Sequence, residues 1–215
     1  MRVLSVNLGE KRILEWKERV ETTGIFKFTT DKSVKVTKLG LEGDVVYDKK
    51  HHGGPDQAIY VYGLADYAWW KKELRKEIPS GTFGDNLTIS DLESARFNVG
   101  DMLQIGDVTL QVSAPRIPCK TFAARMDDPQ WVKKFRHEER PGLYCRVLKE
   151  GLVQAGDAVS VERFTGETVS ILDMFRDYYY KNKSEETLLR YLNAPIAIRD
   201  RNSFEEQLQR LSVES

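Results

Sequence analysis

Short runs of alternating apolar and polar residues recur along the first three quarters of the chain, with Gly and Asp turns between them. A period of two is typical of strands that bury one face. Strands are therefore predicted at Arg2–Val6, Val34–Leu39, Ala58–Tyr62, Asn86–Ile89, Leu143–Leu148 and Ala158–Arg163. The clearest hairpin is Met102–Val112, where Gly106 and Asp107 separate two apolar arms. Strands this short favour a β-barrel.

Helical patterns interrupt these strands and then replace them. Segments at Asp66–Lys76, Cys119–Met126 and Gln130–His137 are predicted to be helical insertions. Beyond Ser170 the alternation ends, and Ile171, Phe175 and Tyr178 take the i, i+4, i+7 spacing of one buried helical face.

Two capping patterns divide this last segment. Ser184 is predicted to cap one helix, Ser203–Glu206 fits a capping box that would begin another, and Pro195 separates them. The predicted fold is therefore mainly β with helices: a β-barrel domain over residues 1–165 and a small three-helix domain over residues 166–215.

Composition narrows the function without identifying it. The 215 residues carry 33 positive and 33 negative side chains, so the chain has no global charge that would attract nucleic acid or an acidic membrane. It has no apolar run near the roughly 20 residues that span a bilayer. Two cysteines do not make a disulfide framework, and the first residues lack the apolar core of a signal peptide. We therefore expect a cytoplasmic protein with no nucleic-acid polymer or membrane as its partner.

The stretch Lys50–Tyr60 contains two of the three histidines beside Gly53–Gly54. A surface turn, a metal site and an anion-binding loop are all open interpretations. Zinc is disfavoured, because neighbouring residues in extended chain point to opposite faces and no CxxC or HxxxH spacing exists. Glycines can turn backbone N–H groups toward an anion, and Lys50 and His52 add donors. Three cations from elsewhere in the chain are candidates to join them: Lys27, Arg116 and Arg146.

The two cysteines occupy different settings. Cys119 follows two prolines where a helix is predicted to begin, with Arg116 and Lys120 nearby. That setting lowers the pKa of a thiol and makes it available as a ligand or nucleophile, although a small buried residue is the alternative. Cys145 lies within a strand pattern and is predicted to pack in the core.

Four motifs in this order resemble a MOSC domain, named for the C-terminal domain of molybdenum cofactor sulfurase, and within that family the YiiM-like subgroup. They are Leu39–Asp44, Lys50–Asp56, Gly81–Leu87 and Pro115–Cys119, and the resemblance covers about residues 1–165, with the three helices matching the region that follows. Asp85 stands where the family commonly has glutamate, and His51 where a small apolar residue is usual. These departures affect substrate contacts more than the family assignment.

The resemblance implies a barrel that binds the molybdenum cofactor, with the Cys119 thiolate as the metal ligand and His52 as a proton carrier. The residues that would line the cofactor pocket are Lys27, Lys50, His52, Gly53, Asn86 and Arg116. Similar proteins reduce N-hydroxylated compounds such as hydroxylaminopurines, with electrons from a separate flavoprotein. No NAD or flavin fingerprint occurs in this chain to replace that partner.

Two alternative functions and one assembly state remain open at this point. Cys119 could carry a persulfide as a sulfur donor, or the domain could store or deliver the cofactor without catalysis. Tyr178–Tyr180 permit a homodimer contact.

Overall fold

A sheet-dominated body followed by helices forms the protein in the computed structural model, which describes residues 1–48, 52–180 and 182–214. Within these residues the strands are β1 (Val3–Gly9), β2 (Arg12–Trp16), β3 (Arg19–Thr23), β4 (Lys27–Thr30), β5 (Val34–Thr37), β6 (Gly40–Leu41), β7 (Ile59–Gly63), β8 (Leu87–Ile89), β9 (Met102–Ile105), β10 (Val108–Pro115), β11 (Leu143–Lys149), β12 (Gly151–Val153) and β13 (Val159–Glu162). The six predicted strands and the hairpin around Gly106 and Asp107 are confirmed, with boundaries shifted by a few residues.

The largest sheet has eight strands in the order β13-β9-β10-β11-β7-β8-β1-β4. Strands β7 and β8 pair in parallel, whereas β1 pairs with both β8 and β4 antiparallel. A three-stranded sheet β12-β5-β6 and the hairpin β2-β3 complete the strands. The β2-β3 hairpin was not predicted, because its exposed apolar residues Ile13 and Val20 blur the alternation.

The predicted closed barrel needs correction. Within the described ranges the strand ladder is open, since β13 and β4 are its two edges. From Val6 to Gly9, β1 uses its free edge to pair with β4. Only the start of β1 can therefore reach β13, and it does so through one bridge between Arg2 and Ala158. The body is an open mixed sheet in which β13 contacts the start of β1 rather than the other edge strand, β4.

Six helices lie within the described residues: α1 (Leu64–Leu74), α2 (Lys120–Arg125), α3 (Trp131–Glu138), α4 (Ile171–Asp177), α5 (Glu185–Asn193) and α6 (Ile198–Glu214). The three predicted insertions and the C-terminal helical region are confirmed. None of the helices in this part of the chain is long and apolar enough to cross a membrane. The domain division after residue 165 and the homodimer stay predictions.

The caps of the last helices show where local patterns suffice and where they fail. Ser184 caps α5 as predicted, since its Oγ accepts from the Thr187 N–H at 3.2 Å. The capping box at Ser203 was wrong, because Ser203 lies inside α6. The helix begins instead at Ile198, whose N–H donates to the Asp56 carboxylate at 2.7 Å. That cap comes from the loop containing His52.

Stacked aromatic rings fill the core beside the sheet and fix the helices near the predicted site. Trp70 of α1 packs on Trp131 and Phe135 of α3, with ring centroids 4.7 and 5.9 Å apart. Phe83 contacts Trp131 at 5.9 Å and Phe122 of α2 at 5.9 Å. Such offset and edge contacts add to the burial of large apolar surfaces. The start of α2, where Cys119 lies, therefore rests on a rigid support.

Candidate functional site

An inner cavity of about 110 Å³ lies at the ends of β4, β7 and β10. Its lining includes all the described residues that the family resemblance assigns to the pocket: Lys27, His52, Gly53, Asn86, Arg116 and Cys119. Lys50 and His51 fall outside the described residues. Residues separated by up to 92 positions in the chain thus converge on one space.

The Asp44 carboxylate organises one wall of the inner cavity. Its Oδ1 accepts from the Gly9 N–H at 2.6 Å and from Lys27 Nζ at 2.6 Å, and its Oδ2 accepts from Lys27 Nζ at 2.6 Å and Asn86 Nδ2 at 2.8 Å. Both members of the ion pair are buried, with 7% and 3% of the Lys27 and Asp44 side chains exposed. Burial lowers the pKa of Lys27, and Asp44 partly offsets that effect. The charge of Lys27 is therefore largely neutralised within the protein.

Arg116 differs from Lys27 because its charge has no such partner. The residue is 4% exposed, and its guanidinium lies 4.7 Å from the centroid of Tyr60 and 4.3 Å from that of Phe122. It donates to the Phe83 carbonyl. Within the described residues it makes no ion pair, and its buried Nε has no hydrogen-bond acceptor. A buried guanidinium without a counter-ion is costly unless a ligand supplies the negative charge.

Glycines leave space for this guanidinium and allow the backbone conformation of the loop opposite it. A Cβ on Gly84, whose φ is +77°, would lie 3.2 Å from the Arg116 guanidinium. Gly53 and Gly54 have φ of +78° and +83°, which confirms the predicted need for glycine in the loop. Pro55 then begins a short 3-10 turn that ends at Gln57.

His52 reaches the inner cavity from this loop. Its backbone N–H donates to the Asp48 carbonyl at 3.0 Å, which closes the turn. Its ring Nδ1 lies 3.5 Å from the hydroxyl of Tyr144, at the long limit of a hydrogen bond. Burial raises the pKa of Tyr144, so its hydroxyl is neutral near pH 7 and is available as a donor.

The two cysteines separate as predicted. Cys119 is half-buried, is the N-cap residue of α2 and lines the inner cavity. Cys145 is fully buried in β11, and burial raises the pKa of its thiol. Only Cys119 of the two has access to a ligand.

A second, wider space of about 850 Å³, which we call the outer groove, lies between this region and the C-terminal helices. Six residues line both spaces: Asp48, His52, Gln57, Cys119, Thr121 and Tyr144. The thiol therefore lies at the junction, where it can contact one molecule in the inner cavity and another in the outer groove.

The family follows from comparison with known proteins. The model of the MOSC domain matches residues 48–160, which include the loop of His52, Asn86, Arg116 and Cys119. The chain belongs to the MOSC domain family. Its fold resembles the crystal structure of YiiM from Geobacillus stearothermophilus, with a TM-score of 0.79 at 25% identity over 96% of this chain and 98% of that one.

Three relatives of this MOSC protein illustrate the range of the family. Uncharacterized protein YflK of Bacillus subtilis is 32% identical over 97% of this chain and 95% of YflK. Protein YiiM of Escherichia coli is 32% identical over 62% of this chain and 61% of YiiM. A protein of Gibberella moniliformis named Reductase is 30% identical over 81% of this chain, but that match covers 32% of its own length.

Two sequence interpretations of the MOSC site change with the structure. Arg146 does not line the inner cavity: its Nε pairs with Asp56 Oδ1 at 2.8 Å, and its NH2 group donates to the Ile196 carbonyl at 2.8 Å. Asp85 is turned away from the cavity lining and accepts from Tyr67 and Thr88 at 2.7 Å each. Burial raises the pKa of Asp85. The departure from glutamate at Asp85 thus concerns the core behind the site.

Sequence reasoning missed the role of Asp44 and the place of Gln57 and Tyr144. Asp44 ends the Leu39–Asp44 motif that carried the resemblance, so a signal was present, but its partners Lys27 and Asn86 are distant in the chain. Among the described residues no group of three or more His, Cys, Asp and Glu side chains could hold a metal ion. A metal at this site would depend on Cys119 and on ligands from its own cofactor.

Proposed function

We propose that this protein binds the molybdenum cofactor in the inner cavity and reduces N-hydroxylated compounds, such as hydroxylaminopurines, with the Cys119 thiolate as the protein ligand to the metal. The observation that carries the proposal is the pair of groups facing one cavity: a buried, uncompensated guanidinium and an accessible thiol. A cofactor with an anionic phosphate and a thiophilic metal matches both groups.

The charge pattern supports an anionic group near Arg116. Lys27 is already paired with Asp44, so Lys27 and Asn86 offer hydrogen-bonding edges more than net charge. Arg116 keeps its positive charge, and a guanidinium can hold a phosphate through two parallel hydrogen bonds. The turn of Gly53 brings backbone close to the same space. Together these groups would bind and orient an anion through Arg116, since the charge of Lys27 is already neutralised by Asp44.

The thiol and the histidine provide the remaining chemistry of the chain. Thiolate is a soft ligand that suits a thiophilic metal, and α2 directs its N-terminus at Cys119. The bound cofactor would supply the two-electron reduction of the N–O bond. We assign His52, which lines both spaces, the transfer of a proton to the leaving oxygen, with the Tyr144 hydroxyl 3.5 Å from its ring Nδ1.

The electron source is proposed to be a separate flavoprotein, because the chain has no nucleotide-binding fingerprint of its own. The relative named Reductase, which is longer than the matching region, is consistent with an activity of this class. The physiological donor would have to approach the junction at Cys119, where the outer groove is open.

The test compares the two cysteines in protein made by a cofactor-producing host. Cys119→Ser should lose most of its molybdenum and nearly all reduction of a hydroxylaminopurine by a chemical reductant, because a hydroxyl is a harder and less acidic ligand. Cys145→Ser is the matched control and should keep both. Metal, pterin and turnover are measured on each variant.

Three outcomes would contradict the proposal. Full activity in Cys119→Ser would exclude the thiolate ligand. Molybdenum-free wild-type protein with an additional sulfur atom on Cys119, measured by intact mass, would make the protein a sulfur carrier. Bound cofactor without turnover by any competent reductant would make it a storage or delivery module.

A further inference from the structure

The outer groove has a wall that the inner cavity lacks. This wall is formed by the residues after α4 and by α6, which place Tyr178, Tyr180, Lys183, Arg199, Phe204 and Arg210 along the groove. The opposite wall contains Cys119 and its neighbours at the junction. The C-terminal helices thus form one side of a space that opens on the candidate reactive thiol.

The position of this wall is fixed from the site itself. Asp56, in the same loop as His52, accepts from the Ile198 N–H at 2.7 Å and pairs with Arg146 at 2.8 Å. Arg146 in turn holds the Ile196 carbonyl at 2.8 Å, and the Ala197 N–H donates to the Ser113 carbonyl at 3.2 Å. Each contact joins the start of α6 to strands or loops that carry site residues. The groove is therefore a built feature with two connected walls.

The chemistry of the wall is aromatic and basic. Tyr178 and Tyr180 are largely exposed, and Lys183 Nζ lies 5.4 Å from the centroid of Phe204. Five cationic side chains line the groove with two carboxylates, Asp48 and Asp200, and positive charge remains in excess when the partners of Arg19 and Arg210, Glu21 and Glu206, are included. Aromatic faces stack on flat rings, and an excess of positive side chains favours a negatively charged group.

We propose that the outer groove binds a flat aromatic compound that carries an anionic group, with a nucleoside monophosphate as the representative class, and presents it to Cys119. As a substrate site, this inference rests on the proposed function. Under this inference, the C-terminal helices select the substrate, while the inner cavity binds the cofactor. It also predicts that a nucleoside monophosphate binds better than the free base or the nucleoside.

The binding test uses the full chain and three probes: AMP, adenosine and ribose 5-phosphate. AMP should bind at least about tenfold more tightly than either fragment, since stacking and charge act together. Tyr178→Leu should weaken AMP binding about tenfold through lost stacking. Arg210→Ala should weaken it about threefold, because the contact of an exposed charge is worth little.

Matched controls come from exposed residues outside the groove lining. Arg96 pairs with Glu93 on the surface much as Arg210 pairs with Glu206, so Arg96→Ala should leave AMP binding unchanged. Phe28→Leu is the corresponding aromatic control, since Phe28 is exposed and lies elsewhere. Arg116→Met reports whether AMP binds in the inner cavity instead, because Arg116 lines only that space.

The outcomes separate this inference from the proposed function. Equal binding of AMP and adenosine, or AMP binding that is lost in Arg116→Met and kept in Tyr178→Leu, would overturn the groove assignment. AMP binding and cofactor content are measured separately on each protein. Protein from a cofactor-producing host that holds no molybdenum or pterin and has no turnover, but binds AMP in the predicted pattern, would keep the groove and exclude the proposed reductase. Cofactor-loaded, active protein that does not bind AMP would reject the groove alone.

Discussion

Replacing Asp44 by Asn should destabilise the protein through Lys27. The carboxylate accepts four hydrogen bonds from three donors, which are the Gly9 N–H, the Lys27 ammonium and the Asn86 amide. An asparagine side chain keeps one acceptor oxygen, but its NH2 group would face Lys27 Nζ or Asn86 Nδ2, donor against donor. The positive charge of Lys27 would then be buried without a counter-ion.

The expected cost is set by the burial of the pair. Removing one partner of a buried ion pair destabilises a protein by about 3–5 kcal/mol, and Lys27 and Asp44 side chains are only 7% and 3% exposed. We expect about 3 kcal/mol in cofactor-free protein at pH 7, near the lower end, because the amide oxygen can still accept from the Gly9 N–H. The free energy of unfolding is measured by urea denaturation.

The loss should depend on pH in a defined direction. The pKa of Lys27 is lowered from 10.5 in the folded protein, so between that lowered pKa and 10.5 the unfolded chain binds more protons than the folded one. Stability therefore rises with pH across this window. Asp44→Asn removes the interaction that raises the pKa of Lys27, so the lower limit of this pH window moves to a lower pH. The difference in the free energy of unfolding between the variant and wild type should therefore decrease as the pH is raised from 7 toward 9.5.

A second substitution gives the control. In wild type, Lys27→Met should destabilise, because it leaves Asp44 buried and unpaired. In the Asp44→Asn background the same change should stabilise, because it removes the unpaired ammonium. Equal effects of Lys27→Met in both backgrounds, or a variant whose pH dependence matches wild type, would refute the pairing argument.

Two further predictions concern Arg116 and Asp56. Arg116→Met should reduce the retained pterin roughly ten- to a hundredfold, which is the equivalent of a charged hydrogen bond. Arg116→Lys should retain an intermediate amount. Equal pterin content in wild type and both variants would remove Arg116 from the site. Asp56→Ala should cost about 1 kcal/mol or more through the lost cap of α6 and should speed amide exchange of α6 and of the loop at Gly54–Gln57 together. The matched Ser184→Ala should affect α5 alone, and unchanged exchange in the loop of Asp56→Ala would show that loop and helix are not coupled.

Local pattern was enough for most of the elements that carry the site. The hairpin around Gly106–Asp107, the cap at Ser184 and the positive φ of Gly53 all depend on interactions within a few residues. The closed barrel failed because closure depends on which edge of β1 is left unpaired, and that is decided by β4 rather than by the alternation of β1. The predicted start of α6 was wrong for a related reason, because the residue that caps the helix, Asp56, is 142 residues away in the chain.

The candidate site shows the same limit in its charges. From the sequence, Lys27, Arg116 and Arg146 are three equivalent cations, each able to hold an anion. In the fold, Asp44 neutralises Lys27 and Asp56 pairs with Arg146, so these two are held in place and Arg116 alone of the three keeps an unpaired charge beside Cys119.

That difference determines what the inner cavity can bind. Three unpaired cations in one small buried space would repel one another and would call for a multiply charged ligand. Under the proposed function, one unpaired guanidinium over the rings of Tyr60 and Phe122 would hold a single anionic group at a defined place, beside hydrogen-bonding edges such as Asn86. The proposed selectivity of the cavity therefore depends on Asp44, which neutralises Lys27, and on Asp56, which pairs with Arg146 outside the cavity, as much as on Arg116 itself.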